Sequence, residues 1–259
     1  MNVVFVGDVF GSPGRDFLKE ILPSLISKYD ADFVIVNGEN AAGGNGLTPE
    51  VADEIFSCGV DVMTSGNHIW DKKEVFSFLD SDRRVLRPLN YPPGVPGKGS
   101  GVFSCRNGQS IGVVSVCGRV FSPASLDCPF RTADAEVTRL KMTTPTVLVD
   151  FHAEATSEKI AMGWHLDGKV SAVFGTHTHV QTADETILPG GTAYITDAGM
   201  TGSVEGVIGV KRDIILRHFL TQLPVRHEPA KGRNQLCGVF CSIDPRGTAR
   251  TVERIMIRE

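Results

Sequence analysis

The chain has 259 residues, with 26 Lys plus Arg against 30 Asp plus Glu, a formal charge of −4, and 41% hydrophobic to 22% charged residues. That balance excludes a wholly disordered chain, and no apolar run approaches the ~18 residues of a membrane span. A mildly acidic sequence without Lys/Arg blocks also excludes an extended nucleic-acid clamp, which works by neutralising many phosphates at once.

The start, Met1-Asn2-Val3-Val4-Phe5, lacks the basic region, long apolar run and cleavage site of a secretory signal, so a cytoplasmic location is expected. Cys58, Cys105, Cys117, Cys128, Cys237 and Cys241 form none of the close pairs of a zinc ribbon or a thioredoxin motif and read as buried thiols.

In chain order, strand-length runs rich in Val, Ile and Phe fall at Asn2–Val6, Phe33–Val36, Val60–Thr64, Ser110–Val116, Val147–Phe151, Val170–Phe174 and Ala193–Ile195. Helical spacing of apolar residues falls between the early ones, at Arg15–Lys28, Thr48–Ser57 and Lys73–Leu79. Thr48 followed by Pro49 is a good helix opening, because the hydroxyl can cap and proline suits the first turn. Arg87–Gly101, with its four prolines and four glycines, reads either as a subdomain boundary or as a long loop. Beyond it the pattern is richer in strands, ending in Val239–Ile243 and Ala249–Ile257. The alternation predicts an α/β fold with largely buried strands, without repeats or low-complexity segments.

The polar residues that end these strands are of one kind. Asp8 follows the first strand, Glu39 and Asn40 the second, and Asn67 and His68 the third. His152 closes a later strand, and His177 and His179 follow another. In a parallel α/β sheet the carboxyl ends of the strands share one edge, where ligands bind. Singly, each has a plainer reading: Asp8 as a turn or helix cap, Glu39-Asn40 as a solvated loop, Gly66-Asn67-His68 as a turn, His152 as a core histidine. His177 and His179, two apart, are expected on one face of a strand. Turns and caps give no reason for seven nitrogen and oxygen donors to gather at equivalent positions. Carboxylate, amide oxygen and imidazole without thiolate suit Mn²⁺, Fe or Zn²⁺, and a carboxylate able to bridge two ions, Glu39, suits in-line attack on phosphorus.

Gly7-Asp8, Asn37-Gly38-Glu39-Asn40, Gly66-Asn67-His68, His152 and Gly175-Thr176-His177-Thr178-His179 resemble the ordered motifs of the calcineurin-like metallophosphoesterases, and in particular their YmdB-like bacterial branch. Thr196-Asp197-Ala198-Gly199-Met200-Thr201-Gly202 extends the likeness toward the C-terminus. Two positions depart from the general superfamily pattern: Phe10 stands where a histidine of an Asp-x-His motif is usual, and Glu39 where the bridging Asp is usual.

The resemblance implies a metallophosphoesterase-type α/β sandwich of two facing β-sheets flanked by helices, a single domain over 1–259 whose proline-rich stretch is a loop. It implies two divalent or trivalent metal ions, the first held by Asp8, Glu39, Asn40 and His179, the second by Glu39, Asn67, His152 and His177. Asn40 supplies the ligand lost at Phe10, and an oxygen in place of an imidazole favours Fe or Mn over Zn. His68 is the implied general acid and a metal-bridging hydroxide the implied nucleophile. Asp150 is left between a role orienting a ligand and a purely structural one. The implied substrates are small phosphoesters, namely cyclic nucleotides, 2′,3′- or 3′,5′-linked. The alternatives are a phosphomonoesterase or nucleotidase on the same centre, with Arg15 or Lys72 as candidate extra cations, and a non-catalytic nucleotide-binding regulator. A homo-oligomer is also expected. A P-loop is excluded because Gly7 to Gly14 lacks the Gly-Lys-Ser/Thr ending.

Overall fold

In a computed structural model the described residues are 1–122 and 124–259. The strands are β1 Asn2–Val6, β2 Asp8–Val9, β3 Phe33–Asn37, β4 Val62–Thr64, β5 Val85–Leu86, β6 Ser100–Ser104, β7 Ser110–Cys117 and β8 Val147–His152. They continue as β9 Ala172–Thr176, β10 Thr186–Ile187, β11 Ala193–Ile195, β12 Met200–Ser203, β13 Gly206–Val207, β14 Val210–Lys211, β15 Asn234–Ile243 and β16 Ala249–Arg258. The helices are α1 Gly11–Tyr29, α2 Pro49–Ser57, α3 Val75–Ser81, α4 Pro129–Leu140, α5 Thr156–Leu166 and α6 Arg212–Thr221.

One sheet runs β2-β12-β15-β1-β3-β4-β5, with β16 on the far side of β15; the other runs β10-β11-β9-β8-β7-β6. β1, β3, β4 and β5 are mutually parallel, as are β7, β8, β9 and β11. Period-two alternation sorts their side chains. Val3 and Phe5 of β1 join Phe33, Ile35, Leu148, Phe174 and Ile195 in the layer between the sheets, where the Phe5 and Phe174 rings meet edge-on at 5.5 Å. Val4 and Val6 point the other way, against Leu18, Leu22 and Leu25 of α1. The outer face of the second sheet packs Val149 and Val173 against Val137 of α4 and Met162 of α5. Two facing sheets with helices outside are the expected sandwich.

The expected elements are present with shifted ends. Helix α1 starts at Gly11, not Arg15, because Pro13 is tolerated in the first turn, where no amide bond is lost. Thr48 caps α2, its hydroxyl accepting from the Val51 amide. Arg87–Gly101 carries the chain from β5 in one sheet to β6 in the other. Short side chains matter where the chain turns toward the site: a Cβ on Gly7 would lie 1.9 Å from the Gly199 carbonyl oxygen. Gly7 and Gly199 thus let the chain after β1 run beside β12, whose Met200 pairs with Asp8.

Candidate metal centre

The carboxyl ends of β1, β3 and β4 and those of β8 and β9 meet across the two sheets. Asp8 and Glu39 are fully buried, and Asn40, His152 and His179 nearly so. Glu39 stands in the middle. Its Oε1 lies 3.0 Å from His152 Nε2 and 3.1 Å from Asn40 Nδ2, and its Oε2 accepts the His68 amide at 3.2 Å. On one side, His152 Nε2 is 3.0 Å from His177 Nδ1 and 3.2 Å from Asn67 Oδ1. Donor atoms of Glu39, His152 and His177 all fall within 4.8 Å of one another. On the other side, His179 Nε2 is 3.2 Å from Asn40 Nδ2 and 3.9 Å from Asp8 Oδ1.

Electrostatics show what this cluster wants. Burial pushes the Asp8 carboxyl up to about 6, although His179 and His152 hold it down. Burial also works against a charged Glu39, yet His152, His68 and His177 bring it down to about 2. Burial likewise opposes a charged His152, but Glu39, Asp8 and Asp150 raise it to about 9. Burial and the neighbouring His152 lower His177 to about 3. Asp8, Glu39 and Asp150 thus gather negative potential around His152, which favours positive charge at this point.

The residues fit metal ions on grounds internal to the fold. Asp8 Oδ1 is buried without any hydrogen-bond partner, a state that a cation would relieve. Imidazole and carboxylate atoms face one another at Gly66, where an added Cβ would come within 2.2 Å of His152 Cδ2 and 2.3 Å of Glu39 Oε2. The space between the donors is kept clear of side chains.

His177 and His179 are not on a strand face as expected. β9 ends at Thr176, and both histidines have positive φ, 99° and 66°. Bulky residues seldom adopt that conformation, and here it turns both rings inward. Between them Thr178 donates its amide and hydroxyl to Asp197 Oδ2, and Asp197 in turn pairs with buried Lys159 at 2.7 Å. The Ile208 carbonyl, itself at φ 45°, faces His179 Nδ1 at 2.9 Å and fixes Nε2 toward the site.

Asp150, on β8 two residues before His152, accepts from Thr64, Thr176 and Asn37 and stays fully buried. Thr176 Oγ1 lies 2.9 Å from His152 Nδ1, so Asp150 and Thr176 together set the orientation of that ring. Phe10, in the place of the missing histidine, packs edge-on against His179 at 5.6 Å. It backs that ring with Met200, Val210 and Ile215.

His68 opens the 3₁₀ turn Asn67–Trp70 at its second residue, with its side chain 40% exposed. Its Nδ1 is 2.8 Å from Asp71 Oδ2, which also accepts from Asn45. That leaves Nε2 for a cleft of about 720 Å³ lined by Glu39, Asn40, His68, His177 and His179. Arg15 is engaged with Glu54 and the Ala41 carbonyl, so it braces the loop after Asn40. Lys72 does line the cleft, together with Arg226 and His227. Sequence reasoning missed Asp71, Thr176, Lys159, Asp197 and Arg226. Thr176 and Asp197 carried a signal, through their places in the Gly175–His179 and Thr196–Gly202 motifs.

The family model described as "YmdB-like protein" matches residues 4–255. A 2',3'-cyclic-nucleotide 2'-phosphodiesterase of Bacillus subtilis is 50% identical over 100% of this chain and 98% of its own. A hypothetical protein from Thermus thermophilus has a crystal structure 42% identical, with TM-score 0.94 and full coverage of both chains. A structure titled as a novel phosphatase from Mycoplasma pneumoniae is 37% identical, with TM-score 0.93 over 100% of this chain and 93% of that one. The expected enzyme class, a phosphoric ester hydrolase, is the class that two of these names give. No helix among the described residues is long and apolar enough to cross a membrane. With a match over nearly its whole length, the chain belongs to the YmdB-like family of metallophosphoesterases.

Proposed function

We propose that the protein is a dinuclear metal-dependent phosphodiesterase that opens cyclic nucleotides to monoesters, with 2′,3′-linked substrates ahead of 3′,5′-linked ones. The substrate class comes from the name of the Bacillus subtilis relative. The observation that carries the reading is the convergence of six further donors from two sheets around Glu39, with Asp8 Oδ1 left unpaired. Asp8, Glu39, Asn40 and His179 would hold one ion, and Glu39, Asn67, His152 and His177 the other. Asn40 presents Nδ2 to Glu39 and His179; a half-turn of its amide presents Oδ1 instead. The oxygen-rich first set favours Fe or Mn over Zn. When bound, the two ions supply Lewis-acid polarisation of the ester and lower the pKa of the attacking water.

The chain's own residues do the rest. Asp71 holds His68 Nδ1, so that Nε2 delivers its proton to the departing ester oxygen. The His68 amide on Glu39 ties that acid to the centre it serves. Lys72, Arg226 and His227 face the cleft and attract a phosphate. The same reading takes 1–259 as one domain, since both sheets share a core layer and both feed the site. Six unpaired thiols accord with a cytoplasmic location.

Lys72 and Arg226 in the cleft also favour one second reading, hydrolysis of phosphomonoesters, whose dianion needs more positive charge. Metal analysis followed by a panel of cyclic nucleotides and monoesters separates the two. His68→Ala should cost ~10²–10⁴-fold in kcat on a poor leaving group while metal content stays unchanged. Full activity in that variant refutes the general-acid assignment. Asp8→Asn and His179→Ala should each lower the metal content by about one ion per chain; unchanged stoichiometry in both refutes the ligand set.

A further inference from the structure

Among the described residues, six non-glycine positions have positive φ: Asp30, Phe121, His177, His179, Ile208 and Gln222. Asp30 and Gln222 are the C-caps of α1 and α6, where a left-handed residue is common. The other four all line the cleft or the small cavity beside it. Three explain themselves: His177 and His179 turn their rings inward, and the Ile208 carbonyl faces His179 Nδ1. Phe121 has no comparable partner, and it is the most exposed aromatic residue, at 84%.

The turn that presents Phe121 is built, not loose. The Ser122 amide donates to the Arg119 carbonyl at 3.2 Å, placing Phe121, φ 63°, at the third position of a β-turn. That position with positive φ belongs to glycine or asparagine in type II turns. Buried Glu158, in the first turn of α5, accepts the Arg119 and Val120 amides at 3.0 and 3.2 Å. The Gly118 amide donates to the His152 carbonyl at 2.9 Å, tying the turn to a residue of the centre. A Cβ on Gly118 would lie 2.5 Å from Glu158 Oε2, so this close approach requires glycine. A backbone strained and braced to hold a phenyl ring in water calls for something to cover the ring.

The covering group follows from the cavities. Phe121 shares a cavity of about 80 Å³ with Asn67, His152, Glu154 and His177. At ~30 Å³ per water that space holds two or three waters and no nucleobase. His177 and Glu154 also line the larger cleft, whose Lys72 and Arg226 suit phosphate and sugar, and whose Phe10 is buried. A base on a sugar phosphate seated at the donors would therefore lie across the mouth of the small cavity, against Phe121.

We propose that Phe121 is the stacking platform for the nucleobase and a specificity-determining residue; the proposal rests on the cyclic-nucleotide reading above. Stacking accepts any base and favours large ones, so purines should bind better than pyrimidines. The test compares KM for 2′,3′-cyclic AMP with KM for ribose 2,3-cyclic phosphate, which has no base. In Phe121→Ala the ratio of the two should move roughly tenfold against the base-bearing substrate, and in Phe121→Trp it should stay near wild type. Phe121→Gly should shift the ratio like alanine while raising Tm, because glycine accepts this φ. An unchanged ratio in both Ala and Gly variants, or equal rises in KM for both substrates, overturns the proposal. If the wild-type protein hydrolyses neither substrate, the activity reading fails separately. Calorimetric titration of adenosine monophosphate against ribose phosphate then decides the stacking: tighter binding of the nucleotide, lost in Phe121→Ala, supports it, and equal affinity overturns it.

Discussion

The two sheets bring different chemistry to their common edge. The sheet containing β1, β3 and β4 contributes the oxygens of Asp8 and Glu39 and the amides of Asn40 and Asn67, while β8 and β9 contribute the imidazoles of His152, His177 and His179. The backbones differ as well: the carboxylates and amides have negative φ, while two of the three histidines have positive φ. The oxygen donors lie on β2 or within three residues of the ends of β3 and β4, in backbone of ordinary φ. His177 and His179 need a turned loop and a brace.

That contrast can be broken at its supports. Lys159→Met strands the buried Asp197 carboxylate that clamps Thr178, and should cost ~3–5 kcal/mol of stability, read in denaturant melts. Stability within 1 kcal/mol of wild type would show that the brace carries no weight, on the scale of about 1 kcal/mol for an average substitution. Gly66→Ala drives a methyl between His152 and Glu39 and should cost about 10²-fold in kcat/KM, since catalytic geometry tolerates no ångström-scale displacement. A near-wild-type rate there means that the donors of the two sheets need not meet at this point. Thr176→Val cuts the link from Asp150 to His152 and should weaken metal affinity or activity ~10–100-fold, the carboxylate-sheet donors keeping theirs. Equilibrium dialysis against metal buffers reads it directly. Asp71→Asn should be mildest, roughly tenfold on a poor leaving group and less on p-nitrophenolate, because His68 loses its orienting partner alone. Equal losses on both leaving groups would argue for a structural role instead.

The oxygen side of this comparison was also the legible side. Val3–Val6 and Phe33–Val36 are apolar runs that stop abruptly, so Asp8, Glu39 and Asn40 are conspicuous in the sequence itself. His152 could be placed for the same reason. His177-Thr178-His179 has the spacing of a strand face, and nothing local reveals that Asp197 and Ile208 bend it into another conformation. Lys159, Asp197 and Thr176 act through partners distant in sequence, which single-residue patterns do not encode. Helices α4 to α6 were equally hidden, lacking an opening as plain as Thr48-Pro49. Phe10 was visible as a departure, but its use as an apolar wall behind His179 required the packing.

The pairing of β1 with β15 has a consequence for the order of assembly. Val6 lies opposite Gly238, and the Gly7 amide donates to the Cys237 carbonyl, closing a loop of more than two hundred residues. Contacts so distant in sequence form late, because the entropy of closing the loop must be met before they give anything back. The β1–β3 and β3–β4 pairs join residues near in sequence and form ahead of that closure, so metal capture at the full set of donors is among the last events of folding.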